Sequence, residues 1–179
     1  MKVVILGTGD SVNAYKPCNC VTIGVNDVFK FYPTNHLLCL DYPQAFTKER
    51  LETIRNSTPD LFVTCMPEWE KWFKDKIQII KLATFRSEIS QIEQDVYPYS
   101  IMSPFVAMVH AYKIGAKEIV IYGVDLLNHQ HLSQDVKVTR ILRDVKMLND
   151  YFIKKGINMK VFNRSSALSD VLPAISESI

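Results

Sequence analysis

The feature that most constrains the fold of this chain is a series of seven short apolar runs separated by helical patterns. Most of these runs are apolar at consecutive positions, so each would bury both of its faces, as strands of a parallel sheet covered by helices do. The sequence therefore predicts one α/β domain over residues 1–179, with a doubly wound, mostly parallel, Rossmann-like sheet and helices on both faces. The seven runs are residues 2–6, 21–25, 36–40, 61–65, 77–82, 118–122 and 159–162.

Three helices have recognisable ends between these runs. Ser103 is the expected N-cap of one helix, with Pro104 at its first position and Gly115 just beyond its end. The alternation of strand and helix patterns is typical of βαβ units and supports the same fold. The other two helices are expected at residues 48–55, after the capping residue Thr47, and from about Asp135 until Gly156.

Composition and charge argue against several classes of function. With 47% hydrophobic and 22% charged residues, the chain has the composition of a soluble globular protein. A net charge of +2 gives no basic face, so no nucleic-acid partner is expected. No apolar run approaches the roughly 20 residues of a membrane span, and the N-terminus lacks a signal-peptide cleavage pattern. We therefore expect a cytoplasmic protein without a membrane partner, and oligomerisation stays open.

The four cysteines are expected to be reduced and structural. Cys18 and Cys20 lack the spacing of a zinc-binding pair, and no second pair completes a ligand set. Cys39 and Cys65 lie inside apolar runs, where a thiol acts as a small hydrophobic group.

Polar segments follow the carboxyl ends of five predicted strands. In an open parallel sheet, ligands bind beyond these ends, near the point where the strand order reverses. The convergence of polar residues there, with apolar residues inside the strands, predicts a small-molecule site. The five segments are residues 7–11, 26–27, 41–43, 123–135 and 163–166.

The first of these segments, Gly-Thr-Gly-Asp-Ser, places Gly7 and Gly9 just past a strand. Glycine lets the backbone come close to a ligand and leaves amides free to bind an anion such as phosphate. The third glycine of the dinucleotide-binding fingerprint is absent, so a tight turn without a ligand is the alternative. In the third segment, Asp41 is a candidate to hold a ribose hydroxyl, or it caps the following turn.

The fourth segment contains Asp125, His129 and His131. All three are of types that bind metals, but nothing in the sequence fixes their geometry. A single histidine with a pKa of about 6.5 would instead take or give a proton at neutral pH. Three hypotheses stay open at this point, namely a metal site, an acid–base site and a solvated loop.

Residues 101–125, with the sequence IMSPFVAMVHAYKIGAKEIVIYGVD, carry the pattern of a known family. The pattern is I-x-S, an apolar helix ending in G-x-K-E-I, and a strand closing with G-[IV]-D. Residues 3–11 add a strand followed by a glycine turn. In these features the chain resembles bacterial lipooligosaccharide sialyltransferases and the wider set of MptE-like (hydroxymethylpterin diphosphokinase-like) domains. The matching residues are Ile101, Ser103, Gly115, Lys117, Glu118, Ile119, Gly123 and Asp125.

The chain departs from the family pattern at three residues and in one loop. Thr8 and Asp10 replace an asparagine and a proline of the glycine turn, and Pro104 stands where a glycine follows the serine. An aspartate in a phosphate-binding turn repels the anion unless a cation intervenes. The transferases carry a long lid after the G-[IV]-D motif, whereas only about ten residues separate Asp125 from the next helix here.

The resemblance implies a protein that transfers a sugar from a nucleotide-sugar donor to an acceptor, with no cofactor and no metal ligand assigned. It implies that His131, or less favourably His129, is the general base. One alternative is a Mg²⁺-dependent diphosphotransferase that holds the ion through Asp10 or Asp125, and another is a nucleotide-binding module without catalysis. The nucleotide-binding residues that the resemblance implies are Gly7, Thr8, Gly9, Asp10, Ser11, Asn26, Asp41, Ser103, Pro104 and Asp125.

Overall fold

The computed structural model describes residues 1–83, 89–98, 102–126, 135–163 and 166–176, and only the backbone of residues 135 and 136. Eight strands and four α-helices are formed by these residues. The strands are β1 (Lys2–Leu6), β2 (Val21–Val25), β3 (His36–Leu38), β4 (Leu61–Thr64), β5 (Ile77–Ile79), β6 (Glu118–Tyr122), β7 (Asn158–Phe162) and β8 (Ala174–Ile175). The helices are α1 (Lys48–Arg55), α2 (Glu70–Phe73), α3 (Ser103–Lys113) and α4 (Asp135–Lys154).

All eight strands belong to one parallel sheet, in the spatial order β5-β4-β3-β2-β1-β6-β7-β8. The chain winds outward from β1 to β5, returns to the other side of β1 and winds outward again to β8. Val3 of β1 is accordingly paired with Val21 on one side and with Ile119 on the other. The strand order therefore reverses between β1 and β6, and the predicted doubly wound parallel fold is confirmed.

The sheet separates two apolar layers. Val3 and Ile5 belong to a core that also contains the inner sides of α3 and α4. Val4 and Leu6 point to the opposite face, where α1 and α2 complete a second core. Helices cover both faces, and this explains why the strands are apolar at consecutive positions.

The ends of the helices follow the predicted signals with one exception. The Thr47 hydroxyl accepts a hydrogen bond from the Arg50 amide at the start of α1. Just beyond α3 and α4, Gly115 and Gly156 adopt φ angles of +92° and +70°, the left-handed conformation that ends a helix. The prediction that Ser103 is an N-cap is wrong by one position. Its backbone is already helical, so the preceding residue, Met102, is the N-cap and Pro104 lies within the first turn.

Several strands differ in length from the apolar runs that predicted them. The runs at residues 36–40, 61–65 and 77–82 pair as strands only through Leu38, Thr64 and Ile79. β8 was not predicted, because two residues are too short to show a pattern. Within the described part of the chain, no helix is both long and apolar enough to cross a membrane.

The expectation of four reduced cysteines is wrong for one pair. Cys18 and Cys20 form a disulfide in the turn before β2. The Cys20 amide donates to the Cys18 carbonyl, and this turn brings the two Cα atoms to 5.4 Å, a separation that a disulfide spans. Cys39 and Cys65 are free thiols, as predicted.

Candidate functional site

The glycine turn after β1 lies directly against the loop after β6, at the point where the strand order reverses. The Gly7 amide donates to the Tyr122 carbonyl, and the Gly9 amide donates to the Gly123 carbonyl, both at 2.8 Å. A Cβ atom at Gly7 would lie 2.3 Å from the Gly123 carbonyl oxygen, and one at Gly9 would lie 2.6 Å from Asp125 Oδ2. The close approach of two loops therefore requires both glycines, whether or not a ligand is bound.

Asp125 joins the same junction through its side chain. Its Oδ2 accepts a hydrogen bond from the Ser11 amide at 2.9 Å, while the Ser11 hydroxyl accepts one from the Gly123 amide at 2.8 Å. The other carboxylate oxygen, Oδ1, is buried and has no hydrogen-bond partner among the described residues. Three amides of the turn, those of Gly7, Gly9 and Ser11, are thus bonded within the protein. Thr8 and Asp10 are exposed beside them.

The loop after β6 is held from its other side by residues that follow β7. The Ser166 hydroxyl donates to the Val124 carbonyl at 3.0 Å, and the Ala167 amide donates to the Asp125 carbonyl at 3.1 Å. Sequence reasoning singled out the polar segment at residues 163–166 but assigned Ser166 no role. Its near-complete burial, at 1% exposure, marks it as a support for this loop.

Asn26 and Asp41 follow the neighbouring strands β2 and β3, so they lie at the same edge of the sheet. Asn26 has a φ angle of +57°, and its amide donates to the Leu38 carbonyl at 3.0 Å. Its side-chain oxygen accepts a weak hydrogen bond from the Cys39 thiol. Asp41 is exposed, and its carbonyl oxygen accepts from the indole nitrogen of Trp69 at 3.0 Å. Both residues therefore lie at the carboxyl edge of the sheet, on the side of β1 that carries β2 and β3.

The residue after Asn26 is a structural one that sequence reasoning missed. Asp27 is 3% exposed, and its Oδ1 accepts from Nε and Nη2 of Arg50 on α1, at 2.9 and 2.8 Å. Two charge-assisted hydrogen bonds from one guanidinium to a single carboxylate oxygen hold the turn after β2 against α1. The sequence offered only the polar Asn-Asp pair as a signal and nothing that pointed to Arg50.

Ser103 and Pro104 lie half-buried at the start of α3. The end of α3 lies at the amino edge of the sheet, because the Lys117 amide donates to the carbonyl of Met1 at 2.8 Å. α3 packs against β1 and β2, so its start points to the opposite edge, where the glycine turn lies. The structure thus brings Ser103 and Pro104 to the same edge as Asn26 and the turn.

The two candidate catalytic histidines, His129 and His131, lie outside the described residues. The structure therefore reports on their loop only up to Leu126, which has a φ angle of +59°. Among the described residues, no three His, Cys, Asp or Glu side chains are grouped so that they could hold a metal ion. Asp10 and Asp125, the candidate Mg²⁺ ligands, differ in setting, since the first carboxylate is exposed and the second is bonded to the Ser11 amide.

Comparison with known proteins shows the fold and no more. No family model matches the chain, and no curated protein matches it in sequence. A solved structure of the sialyltransferase CstII from Campylobacter jejuni, in complex with the substrate analogue CMP-3FNeuAc, superposes with a TM-score of 0.59. The similarity covers 97% of this chain and 84% of that one, at 15% sequence identity. The chain therefore has a sialyltransferase-like α/β fold.

Proposed function

We propose that this protein binds a nucleotide sugar and transfers its sugar to an acceptor hydroxyl. The observation that carries the proposal is the fold shared with a sialyltransferase whose structure holds a CMP-sugar analogue. The likeness extends over nearly the whole chain, and the polar residues gather at the strand-order reversal, where open α/β sheets bind their ligands.

The nucleoside in this proposal lies beyond β2 and β3, against Asn26 and Asp41. An amide and a carboxylate at that edge supply acceptors for ribose hydroxyls and a donor for a base. The donor phosphate lies between the glycine turn and the start of α3, against Thr8 and Ser103. The amides of Gly7, Gly9 and Ser11 support this position indirectly, because they fix the turn to the loop after β6.

The exposed carboxylate of Asp10 affects how this site binds an anion. A carboxylate near a phosphate raises the free energy of the bound state unless a cation or a positive side chain lies between them. Mg²⁺ is bound in proteins by a few carboxylate oxygens together with phosphate oxygens and water, which suits Asp10. This residue makes the dependence of binding on Mg²⁺ an informative measurement.

The proposed chemistry needs one proton acceptor. As the acceptor oxygen forms a bond to the anomeric carbon of the donor, the bond to the nucleotide phosphate breaks and the nucleotide leaves with the electron pair. The hydroxyl proton passes to His131, or less favourably to His129. The basis for this assignment is that both histidines follow Asp125 within a few residues of the sequence, and Asp125 itself lies at the junction of the glycine turn with the chain after β6.

A thermal-shift screen combined with a turnover assay tests the proposal. CMP, CMP-sialic acid, UDP-glucose and ATP are each added with Mg²⁺ or with EDTA, and release of free nucleotide from the two nucleotide sugars is followed with simple sugars as acceptors. Stabilisation by a nucleotide sugar together with nucleotide release is the expected result. Stabilisation by ATP alone, dependent on Mg²⁺, would favour a diphosphotransferase. Binding without turnover would favour a non-catalytic module, and no stabilisation by any of the four ligands would contradict all three.

A further inference from the structure

The chain before α3 contacts the body of the protein through two polar clusters that the proposed reaction does not use, and the Lys113 side chain also donates to the Ile92 and Gln94 carbonyls. We name residues 89–98 the strap. Its inner attachment consists of Tyr97, His110 of α3 and His36 of β3. Its outer attachment consists of Glu93 with three partners, namely Tyr112 of α3, Tyr151 of α4, and Lys155, the residue that follows α4.

The inner attachment is a buried chain of three polar side chains. His36 Nδ1 lies 2.9 Å from His110 Nε2, and His110 Nδ1 lies 3.0 Å from the Tyr97 hydroxyl oxygen. His110 and Tyr97 are 1% and 4% exposed, while His36 is half-buried. The backbone of Tyr97 also pairs with Lys81 and Ala83, through hydrogen bonds of 2.8 and 2.9 Å. Tyr97 therefore connects the chain that follows β5 to the middle of α3.

Two facing imidazole nitrogens hold only one hydrogen between them. In the neutral pair one nitrogen donates and the other accepts. A first proton is tolerated if His36 donates to His110 and His110 donates to the Tyr97 hydroxyl oxygen. A second proton places an N–H group opposite another N–H group at 2.9 Å, and no tautomer relieves that contact. The inner attachment is therefore incompatible with two protonated rings.

The surroundings of the pair also oppose protonation of His110. Burial is the main cause that lowers the pKa of His110 to about 4, and His36 and the Lys113 side chain add to it. Burial also lowers the pKa of His36, although the Asp60 carboxylate acts in the opposite direction. Burial, and to a smaller extent the Asp95 carboxylate on the strap itself, raises the pKa of Tyr97 to about 12.

The outer attachment is lost only at a lower pH than the inner attachment. Glu93 Oε1 accepts from the Tyr112 hydroxyl at 2.9 Å and from the Tyr151 hydroxyl, and it pairs with Lys155 Nζ at 2.6 Å. These contacts, that of Lys155 foremost, lower the pKa of Glu93 to about 2. The outer attachment thus persists at pH values at which the histidine pair is already taking up protons.

From this geometry we propose that the strap is a pH-controlled element, whose inner attachment opens when both histidines are protonated while the outer attachment still holds. Opening separates Tyr97 from His110 and exposes Tyr97, which in the closed state belongs to the core on the α3 face. The proposal concerns the fold alone and holds whether or not a nucleotide sugar is the ligand.

NMR of the 179-residue chain tests the proposal. The ring signals of His36 and His110 report protonation, and the amide hydrogen-exchange protection factors of Tyr97 and Ala83 report the strap. Val120 in the central strand β6 is the internal reference. Between about pH 7 and about pH 4.5 we expect protection at Tyr97 and Ala83 to fall by about tenfold or more and to stay well below that at Val120, whose amide exchanges only through global unfolding.

Three variants test whether the histidine pair, rather than another titrating group, causes the loss of amide protection at low pH. His110→Phe combined with Tyr97→Phe keeps two aromatic rings but removes the titrating chain, and its protection should no longer depend on pH. His36→Asn keeps a neutral group at the half-buried position, so the facing donors never form, and it provides the test if the double variant fails to fold. Tyr151→Phe weakens only the outer attachment and should leave the pH range of opening unchanged.

The outcomes that overturn the proposal are equally specific. One is wild-type protection at Tyr97 that stays constant down to about pH 4.5. Another is a fall of the same size in both His110→Phe/Tyr97→Phe and His36→Asn. A third is equal protection at Tyr97 and Val120 at every pH, which would show that the Tyr97 amide exchanges only through global unfolding and not through opening of the strap.

Discussion

The Asp125 carboxylate binds the Ser11 amide across the boundary between β1 and β6, at 2.9 Å, although the two residues are 114 positions apart in the chain. The Ser11 hydroxyl returns the contact by accepting from the Gly123 amide. A charged acceptor on an amide makes a stronger hydrogen bond than a neutral one. This reciprocal pair fixes the two loops that surround the proposed phosphate position.

We therefore expect Asp125→Ala to destabilise the protein by about 1–3 kcal/mol, since it leaves the Ser11 amide without its partner. Asp125→Asn keeps an oxygen acceptor at the same place and should cost less. Urea denaturation of both variants measures the difference. Equal and small losses in the two variants would show that solvent replaces the carboxylate at no cost.

Gly7→Ala should destabilise the fold even in the absence of ligand. The added Cβ would lie 2.3 Å from the Gly123 carbonyl oxygen, and a backbone atom cannot move aside as a flexible side chain can. A cost of about 3 kcal/mol, at the upper end for overpacking, is expected. Gly115→Ala is the control, because its φ angle is +92° but nothing lies within 4 Å of the added atom. That variant should lose only about 1 kcal/mol to backbone strain, measured in the same denaturation series.

The sequence predicted those parts of the fold that local patterns determine. β1, β2 and β6 lie at their predicted bounds, because each is a run of consecutive apolar residues buried on both faces. The strap, residues 89–98, shows no strand or helix pattern in its sequence. It is held by polar contacts to residues such as His36 and His110, which are themselves 74 positions apart in the chain.

The same limit applies to the candidate site. The rule that ligands bind beyond strand ends correctly brought Gly7, Ser11 and Asp125 to one edge of the sheet. It did not predict that Asp125 would bond to the turn, because the hydrogen-bond partner of a side chain depends on loop geometry. The roles of Arg50 and Ser166 were missed for the same reason, since each supports the site from a distant part of the chain.

Stability should fall with acid before the carboxylates titrate. His110 has a pKa of about 4 in the folded protein, below the 6.5 of a free histidine, so the unfolded chain binds the proton more tightly. The stabilising effect is fully present above about pH 6.5 and is lost as the pH falls towards 4, by about 3 kcal/mol in all. Urea midpoints at several pH values, compared between wild type and His110→Phe, measure this effect. A wild-type profile that is flat between these pH values and equal to that of the variant would contradict it.

The assignment of the general base leads to the last prediction. His131 and His129 both follow Asp125 in the sequence, but the proposed reaction needs only one proton acceptor. A general base contributes about 10²–10⁴ in rate, so His131→Ala should lower kcat by that factor and leave donor affinity nearly unchanged. His129→Ala is the matched control and should cost much less. Both variants are assayed with the nucleotide sugar found in the thermal-shift screen, with and without EDTA. Equal losses in the two variants together with EDTA sensitivity would indicate a metal-binding pair instead, and full activity of His131→Ala would show that its loop takes no part in the chemistry.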